Sequence, residues 1–430
     1  MLFSRGLVIV SSIATSILLP LILDQTSVGQ FFLAQIIIAG LSTVAQLGLI
    51  FSIPATVTEA VATGDLGRAR VLAAKALALA ACTGLLVAAV AWLTLPSLGS
   101  RIGMESLSAW ITVTPIIAAI VPLMALSTLL VELLRGIHAI RASASLAAVT
   151  GTFTAFTLTL LFANDIATDL SGVLQIVLIG SAICLLIGVP LATRAMSGWK
   201  VPALKTVSSS QILRHTLPNL LTTLVFFALA QLDILLLSAL GTMNDVAEYG
   251  IALRFSAVLL VPLGIANAAF TPLAVQARST SDETAVHDMM SKLVTISAAL
   301  SVMFYVGFAL AGYTLIVFWN PNYVDSYTLT LILGVGQVVH AGGGSAGVLL
   351  MVWGDQRAAM LITLVTGLVT VALCLVGLRY GGSFGLAIGA AAGNILQVSM
   401  FVYRVRRRFK LDPSLLGVLS QWWFAEKASA

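Results

Sequence analysis

The chain has 430 residues, of which 59% are hydrophobic and only 9% charged, with a mean hydropathy of +1.05. A soluble chain of that length needs far more charge to cover its surface, so lipid is the solvent for most of this one. Its net charge of +5 is spread so unevenly along the chain that it reads as a topology signal, and nucleic-acid binding is a poor reading of it.

Backbone groups in hydrocarbon must pair internally, which leaves helix bundles or closed barrels. The apolar runs here suit helices crossing a roughly 30 Å core, and they lack the period of two that barrel strands show. The expected fold is an all-α polytopic bundle of about twelve spans. In chain order the runs are approximately 4–23, 29–61, 70–95, 109–134, 143–163, 172–193, 211–240, 248–276, 288–318, 327–352, 358–379 and 384–404. The first, behind Arg5, has no small-residue cleavage site and is followed by further spans, so it reads as a helix and not a signal peptide. Pro20, Pro54, Pro115, Pro122, Pro190, Pro218, Pro262 and Pro272 lie within runs, where kinks are tolerated.

Connections are short, with one polar stretch from Gly198 to Ser210 that reads as a linker. The expected organisation is a six-helix lobe over 1–197, a cytoplasmic linker over 198–210, a second lobe over 211–410 and an amphipathic tail over 411–430. The tail carries Leu415, Leu416, Leu419, Trp422, Trp423 and Phe424 and reads as an interfacial helix starting at Asp412-Pro413. Of the 22 Lys and Arg, Arg101 and Arg379 fall in one set of alternate loops and Arg254 lies within a span; the other 19 lie on the opposite side. Basic loops stay in the cytoplasm, so both ends are expected inside.

A repeat runs through the chain. Asp24 and Gly29 match Asp245 and Gly250 at an offset of 221, Pro54 matches Pro272 at 218, and Asp65 and Lys75 match Asp282 and Lys292 at 217. Gly136 matches Gly354 at 218, and Val149-Thr150-Gly151 matches Val365-Thr366-Gly367 at 216. Six spans per repeat is an even number, so the halves insert with one orientation, an architecture that transporters use with the site near the midplane.

Several of these residues carry a family likeness: Val28-Gly29, Gln46-Leu47-Gly48, Gly64-Asp65, Glu248-Tyr249-Gly250, Pro272, and Tyr380-Gly381-Gly382 through Gly385-Leu386-Ala387. With them the chain resembles the polysaccharide-exporter and O-antigen flippase branch of the multidrug/oligosaccharidyl-lipid/polysaccharide flippase superfamily. The resemblance implies two pseudo-symmetric six-helix lobes around a central cavity. It also implies flipping of a polyprenyl-pyrophosphate-linked oligosaccharide, an O-antigen or capsule unit, across a bacterial cytoplasmic membrane. Drug/ion antiporters and lipid II flippases of the same superfamily are the alternatives. Implied partners are the lipid-linked substrate, membrane lipids and other polysaccharide-assembly membrane proteins.

Among single residues, Asp233 and Arg254 are the sharpest signal. A charge in mid-bilayer costs roughly 2.5–3.5 kcal/mol on insertion scales, so each should face inward and have a partner. Counted from the turn between their spans, both lie roughly 9–12 Å below the outer surface and can pair. Two readings stand: an ion pair locking the spans together, or Arg254 on a substrate pyrophosphate with Asp233 setting its availability. Arg5, at the inner leaflet, could receive a phosphate or simply anchor the chain. Glu132 and Arg135, three apart, share a helix face and read first as an interfacial salt bridge and second as a substrate contact. His340 has no His, Cys or carboxylate at ligand spacing, so no metal is expected, and Cys82, Cys184 and Cys374 read as packing thiols. No phosphate-binding G-x-x-x-x-G-K-[ST] occurs. No cofactor or catalytic constellation is expected, and a glycan polymerase or ligase would need acid/base residues in a sizeable outer loop, whereas the outer loops here are short. A transporter working by alternating access is the expected function.

Overall fold

A computed structural model describes residues 2–99, 107–199, 209–280 and 283–418. Among them there are helices and no strands. The first half contains α1 (Leu2–Ile22), α2 (Gln25–Ala45), α3 (Leu49–Ala62), α4 (Leu66–Gly99), α5 (Leu107–Gly136), α6 (Ile140–Ala163) and α7 (Leu170–Ala195). The second contains α8 (Ser209–Leu240), α9 (Met243–Val258), α10 (Val261–Thr280), α11 (Glu283–Trp319), α12 (Val324–Gly342), α13 (Ala346–Val352) and α14 (Gln356–Phe409).

Eight of these helices are long and apolar enough to cross a membrane, and two bent pairs, α9–α10 and α12–α13, raise that to 10. The 54 residues of α14 would run roughly 81 Å if straight, more than twice what a bilayer core needs. They fold back instead. Gly382 leaves helical geometry at φ 56° and ψ −142°, and the two arms meet side by side: Gly377 against Gly385, Leu373 against Gly389 and Thr370 against Gly393. With α14 as two passes and the apolar Gly6–Ile22 stretch of α1 as another, the described helices supply the twelve passes read from the sequence.

Three of the expected continuous spans are broken. Leu47 (φ 50°) and Gly48 (φ 73°) separate α2 from α3. Between α9 and α10 the chain bends by 47°, and between α12 and α13 by 48°. Pro262, in the first turn of α10, explains the second break. Its ring clashes with the carbonyl four residues back, which is Val258, where α9 ends. Breaks free backbone carbonyls, and each must find a donor when no water is at hand. The Thr83 hydroxyl of α4 bonds the Ala45 carbonyl at 2.5 Å. The Ser301 hydroxyl of α11 bonds the Leu259 carbonyl at 2.6 Å. Ser301 stands 218 residues after Thr83, and Leu259 stands 214 after Ala45. A second bond recurs likewise: Thr58 to the Gly136 carbonyl at 2.8 Å, and Trp353 to the Ala274 carbonyl at 3.1 Å. Each unit thus ties its broken second helix to a neighbour in the same way.

Two compact units divide the chain: Met1–Gln231 with Ser238–Ala247, and Leu232–Leu237 with Glu248–Ala430. Most of α8 therefore groups with the first unit, and most of the 198–210 linker read from the sequence lies outside the described residues. The reason is close packing. Gly48 stands against the α8 backbone from Thr216 to Leu220, and Gly40 against the Phe227 ring. In the first unit α4 packs on α5, α1 on α6, and α7 on α5 and α6, around a core that includes Leu49, Ile53, Leu129, Leu133 and Leu146. In the second, α12 packs on α11 and α14, and α10 on α11 and α13, around Phe270, Ala274, Leu349, Leu350 and Val405.

The segment after α14 is described as far as residue 418, with 415–418 helical. Lys410 adopts a left-handed conformation (φ 56°) and turns the chain back. Leu411, Pro413, Ser414 and Gly417 are then buried, and the Pro413 carbonyl seats against Gly344 at the α12–α13 break. Arg406 fixes the turn, pairing with Asp412 at 2.6 Å and donating to Ser414 Oγ at 3.0 Å. Residues 419–430, with both tail tryptophans, lie outside the described residues. The thiols differ from expectation: Cys184 and Cys374 are buried, but Cys82 is exposed.

Candidate functional site

The charged group in the second unit is built from α8, α9 and α14. Asp233 is half-buried on α8. Its Oδ2 accepts a hydrogen bond from the Tyr249 hydroxyl of α9 at 3.1 Å, and its Oδ1 accepts from the Ile234 N–H at 2.9 Å. Tyr249 is fully enclosed, at 0% exposure. The buried Cys374 thiol donates to the Leu386 carbonyl at 3.8 Å across the α14 hairpin. Low dielectric strengthens such bonds and makes an unmet donor costly, so the tyrosine hydroxyl holds the carboxylate where it is.

Equal depth suggests Arg254 as the partner of Asp233, but the Asp233 carboxylate takes Tyr249. Tyr249 and Arg254 are five residues apart, which at about 100° per residue puts them roughly 140° apart around α9. With Tyr249 turned into the unit, Arg254 must turn away from that contact, and it is exposed. Counting along a helix gives the level of a side chain and says nothing of its rotation, and rotation is what parts these two. Arg254 is therefore an exposed cation on the stretch of α9 after Glu248, and Asp233 is the acceptor of a buried tyrosine.

The other candidates fall elsewhere. Glu132 and Arg135 form the expected contact on α5, with Arg135 Nη1 at 2.7 and 2.8 Å from the two carboxylate oxygens. Arg135 is 55% exposed, so the pair sits in a screened setting where such bridges contribute about 0.2–1 kcal/mol. Glu132→Gln is expected to leave the thermal midpoint of the purified protein within about 2 °C of the parent, on the scale set by a few tenths of a kcal/mol. A drop of about 5 °C or more would show that the pair does more. Arg5 lies in the first turn of α1, and its side chain lies outside the described residues.

A further polar group is not visible in the sequence. His340 Nδ1 lies 3.1 Å from Asn394 Oδ1, and Asn394 Nδ2 donates to Gln337 Oε1 at 3.3 Å. His340 and Gln337 are on α12, and Asn394 is on the returning arm of α14. Gly336 stands against the Ala391 backbone one turn away. Small residues there let the helices approach closely enough for short amide side chains to bridge them. Only the three-residue spacing of Gln337 and His340 could have hinted at it; the third member is 54 residues further on. Among the described residues no group of three His, Cys, Asp or Glu stands together as a metal site would require.

No protein-family model and no curated protein matches the chain. Solved structures do. A multidrug resistance MATE family transporter of the MOP superfamily, solved inward-facing, matches with a TM-score of 0.78 at 15% identity, over 93% of this chain and 94% of that one. The outward-facing form of such a transporter matches with a TM-score of 0.66 at 15% identity, over 95% and 94%. A Vibrio cholerae MATE transporter, solved as a single-residue mutant, matches with a TM-score of 0.64 at 18% identity, over 95% of each chain. The chain thus has the fold of these MATE-type transporter structures, and its long apolar helices are those of a multi-pass membrane protein.

Proposed function

We propose that the protein is a flippase that moves a polyprenyl-pyrophosphate-linked oligosaccharide across a bacterial cytoplasmic membrane by alternating access. The observation that carries the reading is Arg254, a guanidinium exposed on the otherwise apolar stretch of α9. Arginine matches the fork of a pyrophosphate oxygen pair better than lysine does, and it holds its charge at every physiological pH. Placing it within a span is costly, which a task for it there would offset. The fold supports transport in general, since the solved relatives include inward-facing and outward-facing forms. Family likeness at Glu248-Tyr249-Gly250 and in the Gly-rich hairpin of α14 supports the lipid-linked glycan. The working partners are then the lipid-linked substrate, bilayer lipids and other glycan-assembly membrane proteins.

The second reading is a drug antiporter, favoured by the multidrug resistance transporters among the solved relatives. Both readings are tested in one assay: the protein in liposomes is given a fluorescent polyprenyl-pyrophosphate oligosaccharide in one set and a cationic dye in the other. Transfer of the lipid-linked sugar to the opposite leaflet, without dye flux, is the expected result. Dye flux driven by an ion gradient, with no sugar transfer, would overturn the proposal in favour of the antiporter.

Orientation has its own expected outcome. Alternating passes put Gly64 and Gly198 on one side and Gly241 on the other, and the basic residues assign the first side to the cytoplasm. Reporter fusions at Gly64, Gly198 and the C-terminus are expected to read cytoplasmic, and a fusion at Gly241 external. An external C-terminus would overturn the even number of passes.

A further inference from the structure

The His340–Asn394–Gln337 group is neutral, half-buried and set inside the apolar body of the second unit. Hydrogen-bonding amides cost free energy to bury unless they are paired, and here the three side chains pair with one another. Their order fixes the imidazole. Asn394 gives its N–H to Gln337, so its oxygen is left to accept, and His340 Nδ1 must be the nitrogen that carries hydrogen. The Nε2 lone pair is then available, and among the described residues it has no hydrogen-bond partner. A proton arriving at Nε2 makes an imidazolium without breaking the Nδ1 bond, which becomes charge-assisted and stronger. The surroundings do not compete for that proton. On α12 the only other ionisable groups are Asp325 and Tyr327, near its start. On α11 no charged residue lies between Lys292 and Trp319; its tyrosines Tyr305 and Tyr313 lie there, and the Tyr305 hydroxyl is bound to the Leu331 carbonyl. On α14 the nearest charges are Arg379, before the turn, and Arg404, ten residues or roughly 15 Å beyond Asn394. Cys374, Tyr380 and Tyr403 are its other titratable groups there, α13 carries none, and Asp412 of the docked tail is paired with Arg406.

We propose that His340 Nε2, held by Asn394 and Gln337, is a proton-binding site within the second unit whose occupancy sets the bend between α12 and α13. The site adjoins the bend: where α12 stops, the Gly343 N–H is shared between the Val339 carbonyl at 2.9 Å and the His340 carbonyl at 3.1 Å. Charging the ring changes the cost of keeping this turn in apolar surroundings. Neutral and charged states therefore favour different bends.

The test needs no substrate, so its outcome is separate from that of the flippase reading. The chain has four histidines; with His138, His215 and His287 replaced by Gln, the full chain in nanodiscs is labelled with nitrogen-15 in its one remaining imidazole. Between about pH 4.5 and 8 the Nε2 resonance is expected to move from the bare to the protonated position as pH falls, while Nδ1 stays protonated throughout. Asn394→Leu is expected to weaken proton binding at least tenfold, lowering the midpoint by about one pH unit or more. Hydrogen exchange of the Gly343–Val352 amides, corrected for intrinsic rates, should differ between the two ends of the titration, and the difference should vanish in His340→Gln. A ring that stays in one state over the whole range, or whose neutral form carries its proton on Nε2, would overturn the site. Exchange that responds to pH equally in His340→Gln would overturn the link to the bend. Should His340→Gln fail to fold, the same exchange comparison made on Asn394→Leu must move with its lowered midpoint.

Discussion

Arg254→Gln is expected to reach the membrane at normal levels and to lose transfer of the lipid-linked oligosaccharide by about tenfold or more. A charge-assisted hydrogen bond contributes about 1.5–3 kcal/mol, and each step of about 1.4 kcal/mol is a factor of ten in binding. Arg254→Lys keeps the charge and loses the fork, so it should retain partial activity. Because Asp233 is held by Tyr249 at 3.1 Å, removing the guanidinium does not strip that carboxylate of its hydrogen bond. Tyr249→Phe should behave in the opposite way. It leaves the Asp233 acceptor unmet, at a cost of about 1–3 kcal/mol, and should lower expression before it lowers flux through the protein that remains. Transfer assays on liposomes with matched protein content, beside quantitative membrane blots, separate the two effects. A fully active Arg254→Gln protein would remove this residue from the mechanism.

Gly385→Val is expected to have the largest effect on stability. A Cβ at 385 would run into the Gly377 carbonyl across the α14 hairpin, and one at 377 would run into the Gly385 carbonyl. The obstruction is backbone, which cannot rotate away as a side chain can. Overpacking a well-filled interior costs about 1–3 kcal/mol and at times more, and here the two arms must separate along their length. The thermal midpoint of the detergent-solubilised protein should fall by several degrees, and much of the protein should be lost during expression. Gly381→Ala, at the tip of the same turn, meets nothing within 4 Å. It is expected to be within about 0.5 kcal/mol of the parent. Equal tolerance at 381 and 385 would show that the arms do not pack as described.

Much of the fold can be read from the sequence because lipid reduces the problem to one variable, the length of an apolar run. The turn at Tyr380-Gly381-Gly382 and the paired glycines after it mark two passes where the backbone forms one nearly continuous helix. The breaks inside spans are less legible. Pro262 could locate one, since its ring forbids the carbonyl geometry at Val258; the Leu47-Gly48 break is stabilised by α8 packing on it, which no local pattern reveals. Of the site, level along the helices is legible and rotation is not. Counting from the α8–α9 turn places Asp233 and Arg254 at one level, but which α9 residue faces α8 is decided by the whole packed surface, and it is Tyr249. The histidine–amide group is hidden for a related reason, because its members come from helices far apart in the chain.

The placement of the three thiols gives the molecule a practical property. Cys184 and Cys374 are shielded by packed helices. Cys82 is exposed, but it stands sixteen residues into the 34-residue α4, at a depth where the surroundings are hydrocarbon. A charged, water-borne maleimide should therefore leave the native chain unmarked, with no thiol removed. Cysteines introduced at Arg68, exposed in the first turn of α4, and at Gln356, exposed at the start of α14, would then carry the only two dyes, one in each unit. Energy transfer between them on individual molecules would then report the movement that the proposed alternating access requires.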